Sequence, residues 1–366
     1  MWELESHLSK RRQQSGKKSS EKEKPVSTPA NASAKQPRKQ GKRSRQFSKP
    51  SEQPRAEYRA KHISRQRLPG HCPLVLENSS DDAHSLLDSG NGLKLERYGN
   101  LRIIRPEAQA IWQPSLDPEE WKRADAVFTG DTNEEGAGRW AFPHGEKSET
   151  WPMSWDNLRY LGRFTSFRHV GVFPEQAAHW RFMEERIGDR VKAGSGFELL
   201  NLFGYTGLAS LVAARAGARV THVDASKKAI GWARENQELA GLEDRPVRWI
   251  CEDAMRFCER EARRGNRYDG ILLDPPHYGR GPKGEVWQLF EDLPRMLDVI
   301  RDLTDGRSSF VILTAYAIRA SFYSMHEIMQ EKFGDCGGVL ESGELVLKTE
   351  NGHRHLSTSL FSRWCA

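Results

Sequence analysis

From residue 197 onward, short apolar runs alternate with amphipathic stretches at regular intervals. The run Phe197-Glu198-Leu199-Leu200-Asn201-Leu202-Phe203 reads as a buried strand. Residues 204–207 then turn the chain into a helix over 208–216, which Gly217 stops. A second strand over 219–223 ends in Asp224, and Ser226 is placed to cap a helix over 227–240. Ile230 and Ala233 face inward on that helix, and Gly241 follows its end. Apolar runs at 247–251, 268–273 and 309–314 supply three more strands. Two later runs, 338–348 and 357–364, flank a polar break and suit an antiparallel pair at a sheet edge. Such alternation predicts an α/β fold, a Rossmann-like, doubly wound sheet with antiparallel last strands.

The upstream half is patterned differently. Residues 93–98 and 101–105 alternate around Gly99-Asn100 in the manner of a β-hairpin, which Pro106 ends. This predicts a small β-rich domain over 85–165, with the alternating strands and helices of a second domain over 166–366. Trp112, Trp121, Trp140, Trp151 and Trp155 fall close together here. Such rings could stack on unpaired bases, but filling a thin core is the favoured reading. Residues 1–75 carry few apolar positions and predict a disordered tail.

Charge sharpens the division. Residues 1–70 hold 19 Lys/Arg against 6 Asp/Glu, or +13 in a chain whose total is +6, so the remainder stands at −7. A basic arm of this kind either neutralises phosphates of a nucleic acid or merely solubilises the chain. The five cysteines, Cys72, Cys251, Cys258, Cys336 and Cys365, show no paired spacing and indicate neither a disulfide framework nor a zinc site. A buried structural role is expected for Cys251 and Cys258. No run approaches the ~20 apolar residues of a membrane span, and the Trp2-Glu3-Leu4-Glu5 opening is unlike a targeting segment. A cytoplasmic setting is the expectation.

The candidate chemistry sits at strand ends. The fourth strand stops in Asp274-Pro275-Pro276-His277-Tyr278. Two prolines fix φ and remove donors, so a carboxylate, carbonyls and an aromatic ring share one stiff loop. That loop suits a flat nitrogenous group held by its edge and stacked on its face. A strand-ending turn without chemistry would also read this way, but the other strand ends are polar too: Gly204-Tyr205-Thr206-Gly207, Asp224 and Asp253. Asp224 is placed to accept ribose hydroxyls, and Asp253 an adenine amino group, with Ala225 and Ala254 leaving space for the ring. The first loop lacks the G-x-G-x-x-G spacing of a pyrophosphate site, so a nucleoside without phosphates, S-adenosyl-L-methionine (SAM), is favoured over NAD.

These stretches, together with Gly171-Val172-Phe173-Pro174-Glu175-Gln176, Asn201-Leu202-Phe203 and Val223-Asp224-Ala225-Ser226, resemble class I SAM-dependent methyltransferases. Within that class the resemblance is to the bacterial 23S rRNA large subunit methyltransferase I/K family, and it covers about 165–320. It implies a methyl-donor pocket lined by Gln176, Asn201, Phe203, Gly204, Tyr205, Thr206, Gly207, Asp224, Ala225, Asp253, Ala254 and Asp274. It also implies an RNA substrate, rRNA in particular, with the 85–165 domain facing that RNA and 166–366 as the SAM-dependent methyltransferase domain. One departure matters: where cytosine-C5 enzymes of that family place a cysteine after the fifth strand, residues 313–319 hold none. Direct transfer to a base nitrogen is therefore expected, with Asp274, Pro275, Pro276, His277 and Tyr278 at the acceptor. Cytosine-C5 transfer, methylation of a protein or small molecule, and a non-catalytic RNA-binding module are the competing readings.

Overall fold

In a computed structural model the described residues are 73–130, 138–304, 309–316 and 320–366. The basic tail, Cys72 and residues 317–319 lie outside them. The described residues belong to one compact unit.

The described chain begins with a strand the hydrophobic pattern did not single out, β1 (Leu74–Asn78). A meander follows: β2 (His84–Gly90), β3 (Leu93–Tyr98) and β4 (Leu101–Pro106). The hairpin of β3 and β4 forms in the expected register, Tyr98 opposite Leu101. After a short helix, Pro118–Lys122, come β5 (Ala126–Gly130) and β6 (Gly138–Ala141), completing a five-stranded sheet in the order β2-β3-β4-β5-β6. A separate hairpin, β7 (Thr150–Trp155) and β8 (Leu158–Arg163), leads out of it. Trp151 and Trp155 are buried in the core with Trp140 packed against it, so these tryptophans fill space.

A 3-10 turn, Pro174–Gln176, runs into the helix Ala177–Lys192. The larger sheet then builds from β9 (Glu198–Leu202), β10 (Arg219–Asp224), β11 (Val247–Cys251) and β12 (Gly270–Leu273). The helices Leu208–Arg215, Lys227–Ala240 and Ala254–Arg263 connect them. Capping follows the sequence: Ser226 Oγ accepts from Ala229 N at 3.2 Å and Asp253 from Arg256 N at 3.0 Å. Gly241 closes its helix at φ 68°. A small ribbon of β13 (Tyr278–Arg280) and β14 (Val286–Gln288) precedes the helix Leu289–Leu303. Then come β15 (Phe310–Tyr316), the helix Phe322–Phe333, β16 (Val339–Lys348) and β17 (His355–Cys365).

The eight-stranded sheet runs β1-β16-β17-β15-β12-β9-β10-β11. β9 to β12 and β15 are parallel, whereas β17 runs antiparallel to both β15 and β16. The antiparallel pair is thus present but does not form the edge: β1 pairs parallel to β16 beyond it. Chain order reverses between β9 and β12, and the crevice at such a switch point is where α/β sheets bind ligands. One further expectation fails. Cys258 is buried, but Cys251 is exposed, because it ends β11, the opposite edge strand, which has a neighbour on one side only.

Candidate functional site

The carboxyl ends of β9, β10 and β12 open into a cleft lined by Phe203, Tyr205, Asp224, Ala225, Asp253, Ala254 and the 274–278 stretch. A deeper pocket adjoins it and adds Gln176, Asn201, Gly204 and Thr206. Asp274 borders both. Of the residues expected around the donor, only Gly207 lines neither. It starts the helix Leu208–Arg215 at φ 82°, and a Cβ there would lie 2.8 Å from that of Ala233.

The first loop is held in an unusual shape. Phe203 and Tyr205 have positive φ, 57° and 50°, on either side of Gly204. Strain of this kind costs about 1–3 kcal/mol per residue and persists only where surroundings enforce it. Here a Cβ on Gly204 would lie 2.4 Å from the His222 ring, so glycine lets the loop press onto β10. Asp224 supplies the other restraint: Oδ2 accepts from Tyr205 N at 2.9 Å and Oδ1 from Ser226 N at 2.7 Å. Burial raises the Asp224 carboxyl above its ordinary range, against the lowering effect of those two N–H groups. Asp253, which caps its helix, is likewise raised, chiefly by burial.

Asn201 and Thr206 are engaged in the frame. Asn201 Nδ2 donates to Ser210 Oγ at 2.9 Å, and Thr206 Oγ1 donates to the Gly171 carbonyl at 2.6 Å. Gly171 itself sits at φ 100° against Trp232, where a Cβ would fall 2.2 Å from the indole. Gln176 reaches across to the other wall. Its Nε2 donates to Asp274 Oδ2 at 3.3 Å and to the Tyr316 hydroxyl at 2.8 Å.

The 274–278 stretch is pinned from behind. Trp287 Nε1 donates to the Pro276 carbonyl at 2.8 Å, and Leu289 N to that of His277 at 3.0 Å. Pro275 is buried, while His277 and Tyr278 are exposed toward the cleft. Sequence reasoning missed three aromatic residues of the lining, Phe173, Trp287 and Tyr316. Phe173 packs 4.9 Å from Tyr316 and 5.9 Å from Tyr205, and Phe203 packs 5.0 Å from Trp287. Tyr316 ends β15, so the same strand-end rule that found the aspartates would have found it.

The arrangement combines acceptor carboxylates for hydroxyl and amino groups, flat apolar walls, and no basic phosphate cradle at the first loop. That donor set fits SAM. The profile of the S-adenosylmethionine-dependent methyltransferase family matches residues 126–331. The chain belongs to this family. The chain is also 58% identical to the crystal structure of the SAM-dependent methyltransferase from Agrobacterium tumefaciens, at a TM-score of 0.77, covering 81% of this chain and 94% of that one. It is 32% identical over 150 residues to the ribosomal RNA large subunit methyltransferase K/L of Syntrophotalea carbinolica, covering 41% of this chain. To the protein of that name from Pseudomonas paraeruginosa it is 35% identical over 144 residues, covering 39% of this chain. The chain spans 18% of the length of either curated relative. Among its described residues no helix is long and apolar enough to cross a membrane.

Proposed function

We propose that this methyltransferase acts on RNA, ribosomal RNA foremost, and transfers the methyl group directly to a base nitrogen. The observation that carries this reading is the pinned 274–278 stretch, which opens onto the same cleft as Asp224 and Asp253. The shared sequence with rRNA large subunit methyltransferases K/L supports RNA as the substrate class.

SAM supplies a methyl carbon on a sulfonium centre, which a nitrogen lone pair can attack directly. Asp224 would hold the ribose and Asp253 the adenine amino group, with Ala225 and Ala254 beside the ring. Gln176, Asn201, Phe203 and the 204–207 loop would enclose the rest. On the acceptor side, the Asp274 carboxylate and the Pro275 carbonyl hold an amino group by its edge, and Tyr278 stacks on its ring. The Pro276 carbonyl is engaged by Trp287, so Pro276 acts by stiffening the loop. His277, exposed beside it, takes the proton the acceptor loses. The protein's main contribution is alignment.

A thiolate route has little to work with. None of the four described cysteines lines the cleft, and burial pushes the Cys258 thiol far up. The small sheet and the basic tail are the parts proposed to face RNA and to hold its backbone. The test is methylation of unmodified rRNA with labelled SAM, followed by nucleoside mass spectrometry. An N-methylated base is expected; 5-methylcytidine, or label in protein alone, would overturn the reading.

A further inference from the structure

Nine large apolar residues are exposed among the described positions, and four of them are aromatic. Three of those four, Phe167, Tyr278 and Phe290, line the cleft that holds Asp274. Scattered surface hydrophobes are ordinary, but this concentration of rings in one cleft is not scattered.

The rings are also held on fixed backbone. Phe167 is 46% exposed at the tip of the connection from β8 to the Pro174–Gln176 turn. Its N–H donates to Thr165 Oγ1 at 3.1 Å, Trp140 Nε1 donates to the Thr165 carbonyl at 2.9 Å, and Gly138 N donates to the Ser166 carbonyl at 2.7 Å. Phe290, 52% exposed, stands in the first turn of the helix Leu289–Leu303 with its ring 5.9 Å from His277. The preceding Gln288 N–H donates to Asp292 Oδ2 at 2.7 Å. A rigid backbone that keeps an apolar ring in water suits a partner with a flat face.

The charge in the cleft says which part of an RNA that partner is. Five carboxylates and two arginines line it, so it does not draw a phosphate chain to its floor. Bases, which carry donor edges and π-faces but no charge, are compatible with such walls. Resting on the RNA reading above, we infer that Phe167 and Phe290 are stacking platforms for the nucleotides that flank the target base, so that RNA is engaged as an unpaired strand. Duplex bases have their faces covered and cannot use these rings.

Fluorescence anisotropy with the full chain, a short labelled single-stranded RNA and the same RNA annealed to its complement tests this over a series of salt concentrations. The single strand should bind more tightly. Phe167→Ala and Phe290→Ala should each weaken it by about 5- to 150-fold, the range for losing one stacked base. Phe→Leu at either position keeps apolar bulk without a ring and should lose affinity as well. The slope of log affinity against log salt should stay as in the wild type, because no phosphate contact is removed. Calorimetric SAM binding should be unchanged in every variant, which shows the fold intact. Wild-type affinity in the alanine variants, equal binding of the duplex, or full rescue by leucine would overturn the inference while leaving the RNA reading standing. No RNA binding by the wild type would overturn both.

Discussion

Gln176 Nε2 donates to the Tyr316 hydroxyl at 2.8 Å, joining the Pro174–Gln176 turn to the end of β15 beside the proposed donor pocket. The same nitrogen lies 3.3 Å from Asp274 Oδ2, so Gln176 braces the residue proposed to hold the methyl acceptor. Tyr316→Phe removes one bond and leaves the other; turnover should fall by less than about tenfold, as for a single neutral hydrogen bond. Gln176→Ala removes both and should lower turnover further. Equal rates in both variants and wild type would show that the brace has no part in alignment.

Asp224 combines the ligand role proposed for it with a structural one. Asp224→Ala should weaken SAM binding by at least ~1.5–3 kcal/mol, the range for a hydrogen bond to a charged group. It should also lower the melting temperature, since the Tyr205 and Ser226 N–H groups lose their acceptor. Calorimetry showing wild-type SAM affinity would remove Asp224 from the donor site.

Transfer without a covalent adduct makes a joint prediction. Cys→Ser at each of the five cysteines should leave turnover within about tenfold, because no thiolate activates the base. Asp274→Ala should lower it by orders of magnitude. RNA carrying 5-fluorocytosine should not trap the protein, and a stable adduct lost in one Cys→Ser variant would restore the cytosine-C5 route.

Burial raises the Glu175 carboxyl to about 7, although Lys94 and Arg105 favour its ionised form. In the unfolded chain it ionises near pH ~4.3, whereas in the fold it keeps its proton until about pH 7. Its contribution is therefore complete at acid pH and is lost as pH rises, by up to about 4 kcal/mol between those values. Urea unfolding near pH ~4.5 and pH ~7.5 should show this decline in the wild type and a smaller one in Glu175→Gln. Parallel pH profiles would mean that Glu175 titrates normally.

Glu96 is fully buried in the small sheet, where Arg105 Nε donates to its Oε2 at 2.8 Å and the Tyr98 hydroxyl to its Oε1 at 3.0 Å. Arg105→Leu removes the nearer of its two cations, leaving Lys94 at 4.0 Å, and should destabilise the fold by up to about 3–5 kcal/mol. Glu96→Gln in the same chain should recover part of the loss. An unshifted denaturation midpoint in Arg105→Leu would show that water reaches the pair.

Much of the fold and part of the site were legible in the chain itself. Strands ending in Asp224 and Asp274, the Ser226 and Asp253 caps and the β3–β4 hairpin all follow from local chemistry, which one segment can express alone. What could not be read depends on partners far along the chain. Leu74–Asn78 is an ordinary short apolar run until β16 lies beside it. Cys251 looks like a core residue until β11 turns out to be an edge. Phe173 and Trp287 acquire meaning only when the turn and the ribbon that carry them meet at the pocket. The 274–278 stretch shows both sides: its stiffness was written in two prolines, but its anchor, the Trp287 indole, was not.

The place of β1 bears on how the protein is made. Leu74 pairs opposite Gly343, so the strand is synthesised well before the seat it occupies. At about 5–20 residues per second, some 15–50 s separate the two on the ribosome. During that interval β2 to β6 and the parallel strands can fold, while β1 remains an unclaimed strand edge open to chaperones or to a neighbouring nascent chain. A C-terminal truncation before β16 should thus leave the nascent chain with an exposed N-terminal strand as well as an unfinished sheet.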